Sequence, residues 1–294
     1  MKLRLGTRGS RLALVQSEIF AMRLRDAGHE VELVRIVTEG DVRPVDMSPG
    51  EGVFVAAIAN ALVAGEIDIA VHSAKDIPLE EEPELVIAAY PERADPRDAL
   101  VTRAGTSTLD SLPPGAVVGT DSPRRTGFLL AARPDLRVVP MHGNVDTRIA
   151  RLDEGGVDAV VLAAAGIDRL GLSKRIDRRL EPELIAPAPA QGALAVQARR
   201  QDAGLLRMLA TLDQRAVRLA VETEREVLRA TGGTCRAPVG ALASVDGDSF
   251  TLLVAGVNSD GTGKRIETIR GACAEAMELA SDAGRRLVAE GALR

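Results

Sequence analysis

Short apolar runs recur along the first two-thirds of the chain, at 3–6, 31–37, 67–73, 85–89, 116–119, 136–139 and 157–162, and read as strands. Between them, apolar residues return at helical spacing over 11–27, 53–64, 124–132 and 145–152, each stretch with one face to bury. This alternation predicts α/β units with mostly parallel sheets. Two breaks interrupt it. One is a charged, proline-bearing stretch at 91–96, and the other is Ile185-Ala186-Pro187-Ala188-Pro189-Ala190-Gln191-Gly192. Two crossings between two α/β lobes predict a hinged, clamshell-like pair with a cleft. After Asp213 the pattern changes. A helix over 213–229, with Ala216, Ala220 and Val227 on its apolar side, leads into a glycine-rich turn. Strands at 240–245, 250–257 and 266–269 follow, then a last helix over 272–289. That order predicts a small α+β third domain, one sheet with helices on one face. The boundaries so drawn are 1–93 with 192–211, then 97–188, then 213–294.

Composition changes this picture little. A chain of 294 residues exceeds what one core usually organises, so several domains are expected. With no Trp, one Tyr and four Phe, the cores must be aliphatic, and recognition of single-stranded nucleic acid by stacking is disfavoured. The net charge of −5 gives a nucleic-acid partner no support either. No apolar export segment opens the chain, and no apolar run reaches the ~18 residues a membrane helix needs. The expectation is a cytoplasmic protein with reduced thiols.

Candidate chemistry begins with Cys235, in the turn Gly232-Gly233-Thr234-Cys235-Arg236-Ala237-Pro238. Two glycines free the backbone, Pro238 fixes the exit, and the neighbouring arginine favours the thiolate. Cys273 instead falls with Met277, Ala280 and Leu287 on the apolar stripe of the last predicted helix. Two cysteines in such contrasting settings are not a disulfide framework. Three strand ends then open helices and carry arginine: Gly6-Thr7-Arg8-Gly9-Ser10, with Ser10 a natural N-cap; Gly119-Thr120-Asp121-Ser122-Pro123-Arg124-Arg125, with Pro123 suited to the first helical position; and His142-Gly143-Asn144-Val145-Asp146-Thr147-Arg148, with Asn144 as cap. Helix starts expose N–H groups and the positive dipole end, and arginine adds a fork matched to carboxylates. Any one cluster alone reads as a capped helix with a solvated arginine; three together point to a ligand bearing several carboxylates. A strand over 67–73 also runs into Lys75-Asp76-Ile77-Pro78, which puts a lone carboxylate at a strand end rich in cations, where it can stabilise a cation formed during reaction. His72, inside that strand, reads as a core histidine. The three histidines, at 29, 72 and 142, lack metal-ligand spacing, so no metal is expected.

With these residues in view, the chain resembles the porphobilinogen deaminase (hydroxymethylbilane synthase) family over nearly its whole length. The resemblance is carried by Leu5-Gly6-Thr7-Arg8-Gly9-Ser10, Val71-His72-Ser73-Ala74-Lys75-Asp76-Ile77-Pro78, Asp95-Pro96-Arg97-Asp98-Ala99, Gly119-Thr120 with Arg124-Arg125, and Gly143-Asn144-Val145 with Thr147-Arg148. It continues through Ala165-Gly166 with Arg169-Leu170 and Gln191-Gly192-Ala193 to Cys235 with Pro238. The resemblance implies two hinged α/β domains like those of periplasmic binding proteins, with a cleft, plus a small α+β third domain that carries the cofactor cysteine. It implies a deaminating transferase that joins four porphobilinogen units head to tail into hydroxymethylbilane, in tetrapyrrole and heme synthesis. The cofactor it implies is a dipyrromethane primer linked as a thioether to Cys235. Asp76 matches the family's catalytic aspartate, which holds pyrrole N–H groups. Lys75, Thr120, Ser122, Arg124 and Arg125 match cofactor-binding positions. Arg8, Ser10, His142, Arg148, Arg169 and Gln191 match positions that hold substrate carboxylates. The partners implied are porphobilinogen and its linear intermediates, on a monomer without nucleic acid or membrane.

Some positions depart from the family pattern. His142 stands where the family usually has arginine, replacing a permanent cation with one that titrates near pH ~6.5. Glu51 and Ala56, in a lid-like segment over 50–56, stand where lysines are usual, and Asp121 where serine is usual. Arg11 and Arg43 are candidate compensators. Two other classes compete with the transferase. One is a non-catalytic clamshell for a polycarboxylate or tetrapyrrole, with Cys235 inert; the other is a thiol hydrolase in which His72 or His142 activates Cys235.

Overall fold

The computed structural model describes residues 1–37, 53–80, 82–103, 105, 108–233, 237–291 and 293. The chain divides into two compact units, Met1–Arg93 with Ala193–Arg218 and Ala94–Gly192 with Leu219–Arg294.

In the first unit, β1 (Lys2–Thr7) leads through α1 (Arg11–Asp26) to β2 (Glu30–Arg35), and α2 (Val53–Val63) leads to β3 (Ile69–Ser73). The strands β4 (Leu85–Ala89) and, much later, β10 (Leu194–Arg199) complete a five-stranded sheet of order β2-β1-β3-β10-β4. β1 lies parallel to β2 and β3, with Leu5 opposite Leu33 and Ile69, whereas β10 runs antiparallel to both β3 and β4. The sheet is therefore mixed. Because side chains alternate across a strand, Ile69 and Val71 enter the core formed with Phe20 and Leu24 of α1. Ala70 enters the opposite core, with Ile58 and Leu62 of α2. Burial on both faces accounts for the unbroken apolar run of β3. The helix α6 (Ala203–Ala210) adds Leu205 and Leu209 to the first core.

The second unit repeats the plan. Its sheet has the order β7-β6-β8-β5-β9, from β5 (Asp98–Thr102), β6 (Val117–Gly119), β7 (Arg137–Val139), β8 (Ala159–Ala163) and β9 (Arg178–Arg179). β6 is parallel to β7 and β8, and β5 is the antiparallel member. The helices α3 (Pro123–Ala132), α4 (Val145–Asp153) and α5 (Ala164–Arg169) follow β6, β7 and β8. A third, antiparallel sheet, β11 (Val239–Asp246), β12 (Ser249–Gly256) and β13 (Arg265–Ala272), lies between α7 (Arg215–Ala230) and α8 (Ala276–Ala289) in the chain. It is not separate from its neighbour. Leu253, Ala255 and Val257 share a core with Leu100, Val118, Phe128 and Val161. A Cβ on Gly127 of α3 would come within 2.7 Å of the Val257 side chain, so that close approach needs glycine.

Two details differ from the sequence pattern. The last helix starts at Ala276, not at residue 272, and Cys273 sits before it in a short turn with its thiol facing Gly247 O at 3.8 Å. Ala280 and Leu287 are buried as expected, but Met277 is exposed. Ala216, expected on the buried side of its helix, is exposed on α7. No helix among the described residues is long and apolar enough to cross a membrane.

Candidate functional site

In open α/β sheets the carboxyl ends of parallel strands face the ligand side, and each unit gathers its candidate residues there. In the first unit, β1 and β3 are parallel neighbours, so Arg8 and Ser10 emerge at the same sheet edge as Lys75 and Asp76. Ser10 is the N-cap of α1, its Oγ accepting the Ala13 N–H at 3.4 Å. From the second turn of that helix, Gln16 Nε2 donates to Ser73 Oγ at 3.0 Å, which pins the end of β3. A single 3-10 turn over Ala74–Asp76 follows, and Ile77 is extended as its proline neighbour requires. The turn exposes Asp76 and leaves Lys75 half-buried. His72, one residue from the end of β3, is buried, and burial pulls its pKa down to about 4, with Gln197 only partly opposing. It is neutral at physiological pH and enclosed in the core.

In the second unit, Thr120 and Ser122 follow β6, His142 and Arg148 follow β7, and Arg169 ends the helix after β8, all at one edge. Thr120 Oγ1 accepts the Ser122 N–H at 3.3 Å, and Ser122 Oγ caps α3 by accepting Arg125 N–H at 3.4 Å. Pro123 occupies the start of the helix, as its fixed φ favours. Asn144 stands at the N-cap of α4 without a side-chain capping bond.

The side chains of Arg124 and Arg125 turn inward. They are buried and meet Asp98, which is 0% exposed. Asp98 Oδ2 accepts from Arg124 Nη2 at 2.8 Å, and its Oδ1 accepts from Arg125 Nε at 3.1 Å and Nη2 at 2.7 Å. Arg124 also donates to Ala186 O. Gln191 is buried in the same knot, its Nε2 donating to Asp98 Oδ1 at 3.0 Å and Pro96 O at 2.7 Å. Asp98 reaches this edge because β5 runs antiparallel and its first residue pairs with Ala163, the last of β8. Burial alone would raise the Asp98 pKa, but the Arg124 and Arg125 charges and hydrogen bonds hold it well below the usual carboxylate range. Two guanidiniums against one carboxylate leave the knot with one net positive charge.

Beside it, Asp121 meets His142 Nδ1 at 2.8 Å and Arg148 Nη2 at 3.5 Å. Burial lowers the Arg148 pKa, the Arg125 charge lowers it further, and Asp121 opposes. Arg169 Nη2 donates to Gly192 O at 2.7 Å, and burial draws its pKa down to about 10, so it stays charged at neutral pH.

The structure thus collects Arg8, Ser10, Lys75 and Asp76 at one edge of the first unit, and Thr120, Ser122, Arg124, Arg125, His142, Arg148, Arg169 and Gln191 around the corresponding edge of the second. Cys235, Glu51 and Arg43 lie outside the described residues. Ala56 is exposed on α2, and Arg11 is exposed at the start of α1. Sequence reasoning gave Asp98 no role of its own; its position at the start of the buried strand β5 supplies one. Among the described residues no group of His, Cys, Asp or Glu could hold a metal ion.

Two α/β units thus carry arginine-bearing helix starts at their strand-end edges, and the first also presents an exposed aspartate. Residues 3–207 match the family model "Porphobilinogen deaminase, dipyromethane cofactor binding domain", and residues 218–289 match "Porphobilinogen deaminase, C-terminal domain". The porphobilinogen deaminase of Acidothermus cellulolyticus is 48% identical over 98% of this chain and 88% of its own length. That of Roseiflexus sp. (strain RS-1) is 46% identical over 97% and 98%. The chain belongs to the porphobilinogen deaminase family. Among solved structures, the methionine-binding protein MetQ is similar with a TM-score of 0.47 at 16% identity, over 72% of this chain and 89% of that one.

Proposed function

We propose that this chain joins four porphobilinogen units into hydroxymethylbilane on a dipyrromethane primer held as a thioether by Cys235. The observation that carries the reading is the order of two family matches across 3–207 and 218–289, with the exposed Asp76 beside Lys75 at a strand end within the first.

Whether the residues suit the primer can be judged from charge. A dipyrromethane made from porphobilinogen brings two carboxylates on each pyrrole. The second unit answers with the residual positive charge of the Arg124–Arg125–Asp98 knot, the positive dipole end of α3 beside Thr120 and Ser122, and the charged Arg169. The residues fit such a group. When bound, the primer supplies the nucleophilic pyrrole carbon from which the chain grows.

The remaining chemistry belongs to the protein. Lys75 and Arg8 supply cations at the first unit's edge, where Ser10 and the α1 N-terminus add N–H and O–H donors. Asp76 accepts pyrrole N–H groups and stabilises the positive charge that builds on porphobilinogen as ammonia departs. A fixed carboxylate aimed at developing charge lowers the barrier more than one that must reorganise. His142, Arg148, Arg169 and Gln191 complete the substrate-carboxylate set, Gln191 by holding Asp98 in place. His72, buried and neutral in a strand, supports no thiol hydrolase.

The functional division runs 1–93 with 192–211, 97–188 and 213–294; each part contains one of the three sheets. We read the protein as a cytoplasmic monomer that acts without nucleic acid or membrane; its net charge of −5 offers nucleic-acid phosphates no attraction.

Intact mass of the purified protein and an assay for bilane from porphobilinogen test the reading. The mass should exceed that of the chain by two pyrrole units, and Cys235→Ser should remove the excess. An unmodified protein that makes no bilane refutes it.

A further inference from the structure

Asp121 follows β6 in the turn that opens α3, where a carboxylate reads either as a helix cap or as a source of repulsion toward anionic substrate. It caps nothing, because Ser122 holds that position. Instead it reaches to the next helix start. Its Oδ1 accepts the Met141 N–H at 2.9 Å, and its Oδ2 lies 2.8 Å from His142 Nδ1 and 3.5 Å from Arg148 Nη2. Arg148 is further fixed by its Nε bond to Gly143 O at 2.8 Å. The Asp121, Arg148 and His142 side chains are 18%, 21% and 24% exposed, so solvent reaches the group but does not dilute it. The protein's own carboxylate fills the seat formed by the Met141 N–H, Arg148 and His142.

Charge counting gives this arrangement a consequence. With the imidazole neutral, Asp121 and Arg148 cancel and the seat has no net charge. With the imidazole protonated, one positive charge remains. The other charged groups around the seat are Arg151, whose Nη1 donates to His142 O at 3.3 Å, Asp146 in the first turn of α4, and Arg125 of α3, which acts on Arg148 and shares the Asp98 carboxylate with Arg124. Of the side chains in the group, histidine is the type that ordinarily changes charge near physiological pH.

We propose that Asp121 and His142 form a specificity-determining pair: Asp121 neutralises Arg148, and the proton on His142 restores the single positive charge with which this side-chain group attracts one substrate carboxylate. The proposal rests on the reading that this edge receives carboxylates of porphobilinogen.

The test is steady-state bilane formation from porphobilinogen between about pH 6 and about pH 8.5, with KM and kcat separated, for the native protein and for His142→Gln, His142→Arg and Asp121→Asn. A partly exposed charge contact sets the scale at roughly fivefold in KM. Native KM should rise by about that factor toward alkaline pH. His142→Gln should hold the high value at every pH, and His142→Arg the low one. Asp121→Asn, which keeps an acceptor for Met141 N–H, should lower the alkaline KM about fivefold with kcat little changed. A purely structural role for Asp121 would instead lower kcat and thermal stability and leave the pH slope of KM intact. Either a His142→Gln protein that retains the native slope, or an Asp121→Asn protein with native alkaline KM, overturns the proposal. The underlying reading fails differently: the native protein then carries no covalent pyrroles and forms no bilane.

Discussion

Replacing Asp98 with asparagine removes one negative charge from a place water does not reach. Four hydrogen bonds converge on that carboxylate, three from two guanidiniums and one from Gln191. The side chains of Arg124 and Arg125 are only 4% and 7% exposed, so neither can turn to solvent for compensation. Asparagine would also set its own N–H groups against donors on one side. Breaking a buried ion pair by deleting one partner costs about 3–5 kcal/mol, because a desolvated charge is left behind. Against a usual total of about 5–15 kcal/mol, that is a large fraction. The urea midpoint of Asp98→Asn, read with an unchanged slope, measures it. The pH dependence follows from the sign of the shift. Arg124 and Arg125 hold the folded-state pKa of Asp98 well below its ordinary 3.8, so its contribution is complete above that value and is withdrawn only as pH falls through the folded pKa. The deficit of Asp98→Asn should therefore be the same at about pH 5 as at about pH 7. A triple replacement, Asp98→Leu with Arg124→Met and Arg125→Met, should be destabilised less than Asp98→Asn alone, because no orphaned charge remains. A loss under about 1 kcal/mol for Asp98→Asn, within the range of exposed pairs, would refute the claim that this carboxylate holds the two arginines.

Three further outcomes follow from the same structure. The buried His72 has its pKa lowered from 6.5 to about 4, so stability should be full above 6.5 and decline as pH falls toward 4; His72→Gln should flatten that limb of urea midpoint against pH, by up to about 3 kcal/mol. Gly192 has φ +87° and an added Cβ would lie 2.5 Å from Ala94 O; Gly192→Ala should cost about 2 kcal/mol in thermal unfolding and lower activity through Arg169, which donates to the Gly192 carbonyl, and a native melting point would contradict this. Asp76→Asn should keep the mass of two added pyrroles yet cut kcat by roughly a hundredfold or more, the scale of losing one aimed charge, and unchanged turnover would remove Asp76 from catalysis.

The parallel ladders and their helix starts were legible because each rests on local rules: alternation within a strand, a cap residue, a proline at the first helical position. Three strands were not. β5 opens with a charged residue directly after Pro96-Arg97, β9 is only the pair Arg178–Arg179, and β10 has Val196 as its one β-branched residue. β5 and β10 are the antiparallel members of their sheets, which is why mostly parallel sheets were expected and mixed ones found. The site shows the same limit. That Arg124 and Arg125 follow a capped turn is written in adjacent residues, but that they face Asp98 depends on β5 entering the sheet in reverse. No spacing records that. Asp121 could be read as a cap, a local role, whereas its actual partners come from the turn after β7.

The segment Ala186–Gly192 ends where the chain passes from the second unit back to the first. Its prolines and alanines read as a break between lobes, yet nearly every residue in it is buried, and its polar atoms are held from several directions. Ala186 O accepts from Arg124, Pro187 O from Ala241 N at 2.9 Å, and Gly192 O from Arg169 and from Ala94 N. Ala190 adopts φ +65°, a conformation disfavoured for a residue with a Cβ, and its N–H is fixed by Glu224 Oε2 at 2.6 Å. The other oxygen of Glu224, which is fully buried on α7, accepts Ala243 N–H of β11 at 2.7 Å. One carboxylate thus ties the helix that precedes Cys235 in the chain to the strand that follows it and to the segment whose Gln191 supports Asp98. Helix, strand and arginine knot are coupled through bonds that leave little freedom within this unit. Glycine and proline mark where a chain can bend in isolation; the hydrogen bonds made by their neighbours decide whether it does.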